Sequence, residues 1–160
     1  MIKTYFITGA EGVGKTSVIK ILKRELPEMD IHDFDEFIVP ENPQLQWRLD
    51  TTLNWINKAI ENQKKNISTC IIGLSFPDEI INFDESKNLN SINFCLLDVE
   101  EFERKKRLSF RNASEEVIDD LEQLHKLREV AEEKNINIID TSILLVEEVA
   151  KEIIKWIKSV

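Results

Sequence analysis

Three of the four glycines in this 160-residue chain fall inside one eight-residue segment, Gly9-Ala10-Glu11-Gly12-Val13-Gly14-Lys15-Thr16. The segment matches G-x-x-x-x-G-K-[ST] at every fixed position. It follows an apolar run and precedes an amphipathic one, so the chain must make a strand, a tight loop and a helix here. Glycines let such a loop take φ > 0 and turn successive main-chain N–H groups inward around an anion. The helix start adds its own unsatisfied N–H groups and positive dipole end at the same point. Lys15 then reaches the outer phosphates as a point charge, and the Thr16 hydroxyl is placed to meet a divalent cation. The expected phosphate-contacting run is Gly9, Ala10, Glu11, Gly12, Val13, Gly14, Lys15, Thr16 and Ser17.

Short β-branched runs alternate with longer amphipathic ones along the rest of the sequence, which argues for βα units around a parallel sheet. Strands are expected at 3–8, 29–32, 67–72, 92–97 and 136–139. Their near-continuous apolar character suits strands covered on both faces. Helices are expected at 15–26 and 45–63, from Asp98 onward with Asp98 as cap, from Ser114 through Leu127, and over the last apolar stripe from Val146 to Ile157. The fold class that follows is α/β, a three-layer αβα sandwich with a five-stranded parallel sheet. There is no repeat, low-complexity tract or linker, so residues 1–160 form one domain.

Hydrophobic residues make up 42% and charged residues 32% of the chain, which fits a globular protein rather than a disordered one. The formal net charge is −9. A broadly acidic surface repels nucleic-acid backbones, so no nucleic-acid partner is expected and any anionic ligand needs a local cluster of donors. No apolar run approaches the ~20 residues that span a bilayer, and no signal-peptide pattern is read at the N-terminus, so no membrane partner is expected. Cys70 and Cys95 each sit in an apolar stretch without Cys-x-x-Cys spacing and read as reduced, buried thiols. A cytoplasmic location follows.

With the loop in place, the chain resembles the small P-loop kinases, the group that includes shikimate kinase, gluconate kinase and the nucleoside monophosphate kinases. The specific likeness is Gly9-x-x-Gly12-x-Gly14-Lys15-Thr16, and the order of elements is similar over nearly the whole chain. The resemblance implies a P-loop NTPase fold, ATP and Mg²⁺ as cofactors, a small-molecule acceptor, and a monomer or homodimer. A second likeness is Asp33-Phe34-Asp35 at the end of the second strand. It implies that Asp33 sits near Mg²⁺, through water, and that Asp35 holds the acceptor hydroxyl and takes its proton. Residues two apart on an extended segment point the same way, so both carboxylates could face one cleft. The other reading of the same residues is a solvated strand end with Asp33 capping a turn.

Arg104, Arg107 and Arg111 recur at i, i+3 and i+7, on one helical face. The resemblance makes their region, around 100–115, a small lid whose arginines close over the phosphates, with Arg107 and Arg111 the preferred pair. A solvated face paired with Glu100, Glu101 and Glu103 is the other reading. By the same resemblance Thr141, in Asp140-Thr141-Ser142, borders the adenine, and Arg48 contacts the acceptor. Lys15, Asp35 and Arg107 are thus the expected catalytic residues. Either Asp33 or Asp98 could be the metal-side carboxylate. The chain departs from shikimate kinase at Gly73-Leu74-Ser75, which lacks a run of glycines. It is also short of the arginines a nucleoside monophosphate kinase uses for a second phosphorylated substrate. Two activities fit these parts: transfer of the γ-phosphate of ATP to a small acceptor, or an ATP-binding or ATPase switch module with no acceptor.

Overall fold

The computed structural model describes residues 1–41 and 43–160. Strand β1 (Thr4–Thr8) leads into helix α1 (Lys15–Glu25), followed by β2 (Asp30–Asp33) and a 3₁₀ turn, Phe34–Glu36. Helix α2 (Leu45–Lys64), β3 (Thr69–Ile72), α3 (Pro77–Asn82) and a second 3₁₀ turn, Asp84–Asn88, come next. The chain continues with β4 (Ile92–Asp98), α4 (Glu101–Phe110), α5 (Glu115–Asp119), α6 (Glu122–Glu133), β5 (Asn137–Asp140) and α7 (Val146–Ser159).

The five strands form one sheet in the order β2-β3-β1-β4-β5, parallel at every pairing. β1 is central, and all five of its residues are buried. On one face Tyr5, Ile7, Cys70 and Leu97 pack against Val18, Ile19 and Leu22 of α1 and Val149, Ile153 and Ile157 of α7. On the other, Phe6 and Ile71 meet Trp55, Ile56 and Ala59 of α2 and Ile80 of α3. Leu127 and Ala131 of α6 cover Leu96 beside them. This is the expected three-layer sandwich, and burying each of these large side chains contributes about 1.5–3 kcal/mol. Both cysteines are free and buried, and burial pushes the Cys95 thiol up to about 12. Among the described residues, no helix is long and apolar enough to cross a membrane.

Three details depart from the sequence expectations. Asp98 is the last residue of β4, not a helix cap: both its oxygens accept from Arg128 Nε at 3.0 Å, and α4 starts later, at Glu101. The helix expected from Ser114 onward is two helices. The Ser114 side chain does cap the first, accepting from Val117 N, but Asp120 turns back to accept from Glu122 N at 2.9 Å and restarts the chain as α6. Finally, α3 and its 3₁₀ extension fill a stretch with no helix assigned from sequence. Pro77 at the first position suits that start, because its missing N–H would be unpaired there anyway.

Candidate active site

The loop between β1 and α1 is built on backbone that other residues would strain. Gly14 has φ 102° and is the N-cap of α1. That left-handed geometry carries the chain straight into the helix, whose first main-chain bond runs from Ser17 N to Gly14 O at 3.2 Å. The loop is held from beneath by Arg104, which is 3% exposed and donates from Nε to Glu11 O at 2.9 Å. Lys15 folds over the loop and donates to Gly9 O at 2.7 Å and Ala10 O at 2.8 Å. Burial pulls its ammonium down to about 8, aided by Arg111, against the opposing lift of the Asp35, Glu11 and Asp33 carboxylates.

Asp33 and Asp35 are brought to the same place, but not by strand alternation. Asp33 ends β2 and its Oδ1 accepts from Asp35 N at 3.0 Å, while Glu36 Oε1 accepts from Asp33 N at 3.1 Å. This reciprocal capping box closes the Phe34–Glu36 turn. The extended segment is thus replaced by a turn that presents Asp35 at the cleft. The turn is braced by Trp55 Nε1, which donates to Phe34 O at 3.1 Å, and by His32 Nδ1, 2.6 Å from Glu36 Oε2. Burial, and then the like charge of Asp33, raise the Asp35 carboxyl above its ordinary value despite the opposing pull of Lys15.

The three arginines of the 104–111 stripe have three different fates. Arg104 also donates to Ile118 O and Val117 O, at 3.1 and 3.2 Å. It binds main-chain carbonyls rather than an open anion, a correction to the one-face reading: its long side chain passes beneath the loop, where those carbonyls supply the negative partner. Arg107 donates from Nη1 to Thr141 Oγ1 at 3.1 Å, from Nη2 to Thr141 O at 2.6 Å, and from Nε to Glu103 at 3.1 Å. Arg111, just past the end of α4, is exposed and faces the loop. Thr141 itself is 1% exposed, with its hydroxyl 3.0 Å from both Val13 O and Asp98 O.

Two clefts flank the loop. One, of about 430 Å³, is bounded by Glu11, Gly12, Gly14, Lys15 and Thr16 on the loop side. Its far wall carries Asp35, Trp47 and Arg48, with Arg111 and Gln123 at the rim. The other, of about 230 Å³, lies outside the loop between Val13, Ser17, Arg107, Thr141 and the apolar residues Leu144, Leu145 and Val146. Gly14 and Arg111 line both. Arg48 reaches the first cleft already paired, with Nε 3.0 Å from Glu79 Oε2 and Nη2 2.5 Å from Oε1. Glu79, Leu74, Gln123 and the 144–146 segment were not read as site residues from sequence. Each arrives by packing from a distant element, and none carries a local motif.

Among the described residues no group of three or more His, Cys, Asp or Glu side chains is arranged to hold an ion unaided. The Thr16 hydroxyl lines the first cleft, and a hydroxyl of this kind suits a cation that brings phosphate and water ligands with it, as magnesium does.

No protein-family model matches the sequence, and no curated protein matches it. Solved structures do match in shape. An unliganded sugar kinase from Janibacter superposes with TM-score 0.71 at 17% identity, covering 99% of this chain and 95% of its own. The YorR protein of Bacillus subtilis, in complex with phosphorylated GDP, gives 0.61 at 16% identity, over 97% and 95% of the two chains. Shikimate kinase from Bacteroides thetaiotaomicron gives 0.59 at 14% identity, over 99% of both. The chain therefore shares the fold of these structures, a parallel α/β sandwich with a phosphate loop after the first strand.

Proposed function

We propose that this chain is an ATP-dependent phosphotransferase that moves the γ-phosphate to a hydroxyl, or a phosphate, of a small molecule. The observation that carries this is the pair of clefts joined at Gly14 and Arg111. A binder of nucleotide alone needs only the outer cleft and the loop. A second cleft, walled by a carboxylate and opening on the same loop, is what an acceptor requires. The shared fold with a sugar kinase and a shikimate kinase supports a phosphotransferase at that coarse level.

In this reading the nucleoside lies against Leu144, Leu145 and Val146, with Thr141 and Arg107 forming the floor of its cleft. The amides of Gly9 to Ser17 take the phosphates. Lys15 leaves the Gly9 and Ala10 carbonyls to meet them, a short swing for a flexible ammonium. Thr16 and Asp33 are the residues that would hold a magnesium ion, which when bound would draw charge from the phosphate oxygens. Asp35 accepts the proton of the acceptor hydroxyl and fixes that oxygen in line. Arg111 neutralises charge on the transferring group. Arg107 acts by holding Thr141 and the outer cleft in place, since its donors are engaged. Lid closure belongs to the segment after Leu108, because Arg104 anchors the first part of α4.

The test is ADP release with magnesium ATP against pooled sugars, nucleosides and hydroxy acids, alongside calorimetry of nucleotide binding. Stimulation by one acceptor, abolished in Asp35→Asn with ATP binding intact, is expected. ATP binding with hydrolysis altered only by a protein partner would instead support the switch module.

A further inference from the structure

The first cleft carries its charges unevenly. Lys15 and Arg111 lie on the loop side, where, in the reading above, phosphates take them up. On the acceptor side the lining residues include a single cation, Arg48. That guanidinium is bound side-on by Glu79 through Nε and Nη2, and its face lies 4.9 Å from the centroid of Phe76. The side chains of the pair are only 23% and 20% exposed, so water screens them little. Lys126 sits over the same Phe76 ring at 4.5 Å but does not line the cleft. With Lys15 engaged by phosphate in that reading, the charge left on the acceptor side is the Asp35 carboxylate. An anionic acceptor would meet that negative charge with no free cation to offset it.

The other groups favour contact without charge. Trp47, Phe34, Val39 and Leu74 make an apolar wall. The Trp47 ring is fixed by its Nε1 bond to Ile38 O at 3.2 Å and by an edge contact with Phe34. A fixed indole of this kind suits the C–H face of a sugar or a flat base. The Gln123 amide and the Asp35 carboxylate offer hydrogen bonds to hydroxyls.

Building on the phosphotransferase reading, we propose that the acceptor is an uncharged polyhydroxy compound, a sugar or nucleoside rather than an acid or a phosphate ester. We further propose that Glu79 sets this preference by cancelling the charge of Arg48.

The experiment compares matched acceptors with magnesium ATP: an aldohexose against its aldonic acid, and a nucleoside against its 5′-monophosphate. The neutral member of the reacting pair is expected to have a kcat/KM at least about tenfold higher, a difference of about 1.4 kcal/mol. Glu79→Gln uncovers the guanidinium and should narrow that preference about tenfold, through a lower KM for the acid, with the KM for ATP unchanged. The double variant Arg48→Gln, Glu79→Gln is again neutral and should keep the preference of the parent. An acid preferred by the parent protein would overturn the charge inference and leave the phosphotransferase reading standing. Failure of both neutral compounds while a hydroxy acid of the pool stimulates ADP release would overturn the charge inference equally, and failure of every pooled acceptor would remove the phosphotransferase reading and this inference with it.

Discussion

The guanidinium of Arg104 donates to the carbonyl of Glu11, ninety-three residues away in sequence, and so bolts α4 to the underside of the phosphate loop. Two further bonds from the same group hold the end of α5. Arg104→Met keeps the length of the side chain and strands three carbonyls. Charge-assisted bonds of this kind contribute ~1.5–3 kcal/mol each, and the losses overlap, so a total cost of about 3 kcal/mol is expected. Thermal unfolding should show Tm falling by roughly 6–12 °C for a chain of this length.

Lys15 is held with its ammonium pulled down to about 8. Because the folded value lies below the unfolded one, the unfolded chain binds more protons above pH 8. The nucleotide-free fold therefore gains stability as pH rises from there toward the unfolded value. Phosphate binding needs the charged form, so ATP affinity should fall above pH 8, approaching tenfold per unit. Lys15→Met should bind about a hundredfold more weakly at pH 7, with little further dependence up to pH 9. Calorimetry across that range checks both.

Asp35→Asn should leave ATP affinity nearly intact and lower turnover with the acceptor by about 10²-fold, the scale of a lost general base. The Asp35 carboxyl is raised by burial and by the charge of Asp33. The acid limb of kcat/KM should accordingly lie above the ordinary aspartate range. Asparagine at position 33 can still accept from Asp35 N, so Asp33→Asn removes the repulsion while keeping the turn. It should shift that limb to lower pH and raise the magnesium concentration needed for half-maximal rate. An unmoved limb would separate Asp35 from proton transfer.

His32 lies between two carboxylates, with Nε2 2.9 Å from Asp30 and Nδ1 2.6 Å from Glu36. Burial alone would raise both carboxyls. Hydrogen bonds outweigh it and hold both below their ordinary values: those of His32 and Asn62 at Asp30, and those of His32 and the Asp33 amide at Glu36. Their stabilising contribution is fully present above the unfolded carboxyl value and is lost as pH falls through the folded one, below about pH 4. His32→Phe removes the partner that both carboxylates share, so its acid-unfolding midpoint, followed by circular dichroism, should move to higher pH.

The sheet and the loop were legible because their signals are local. β-Branched runs marked all five strands to within a residue or two, and the glycine spacing marked the cradle. The site's far wall was not. The turn bearing Asp35 depends on Asp33 folding back onto the chain, a choice between strand and Asx turn that alternation alone leaves open. The Arg48–Glu79 pair joins residues 31 apart on separate helices, beyond the reach of any periodicity. Arg104 and Arg111 look alike on a helical wheel, yet one is enclosed and the other open, because Arg104 packs against Gly12 while Arg111 lies just past the end of α4. The restart of the chain at Asp120 did leave a trace, an aspartate two residues before Glu122, which an unbroken apolar stripe through Val117 and Leu121 concealed.

The loop grows out of β1, the central strand of the five, with helices above and below. Amide protons there should exchange only when the molecule comes apart as a whole, whereas those of the edge strand β5 should escape by fraying at the margin. Ligand-binding segments are commonly drawn from the softer parts of a protein. Here the cradle should instead share the lifetime of the native state, surviving until the last cooperative unit dissolves.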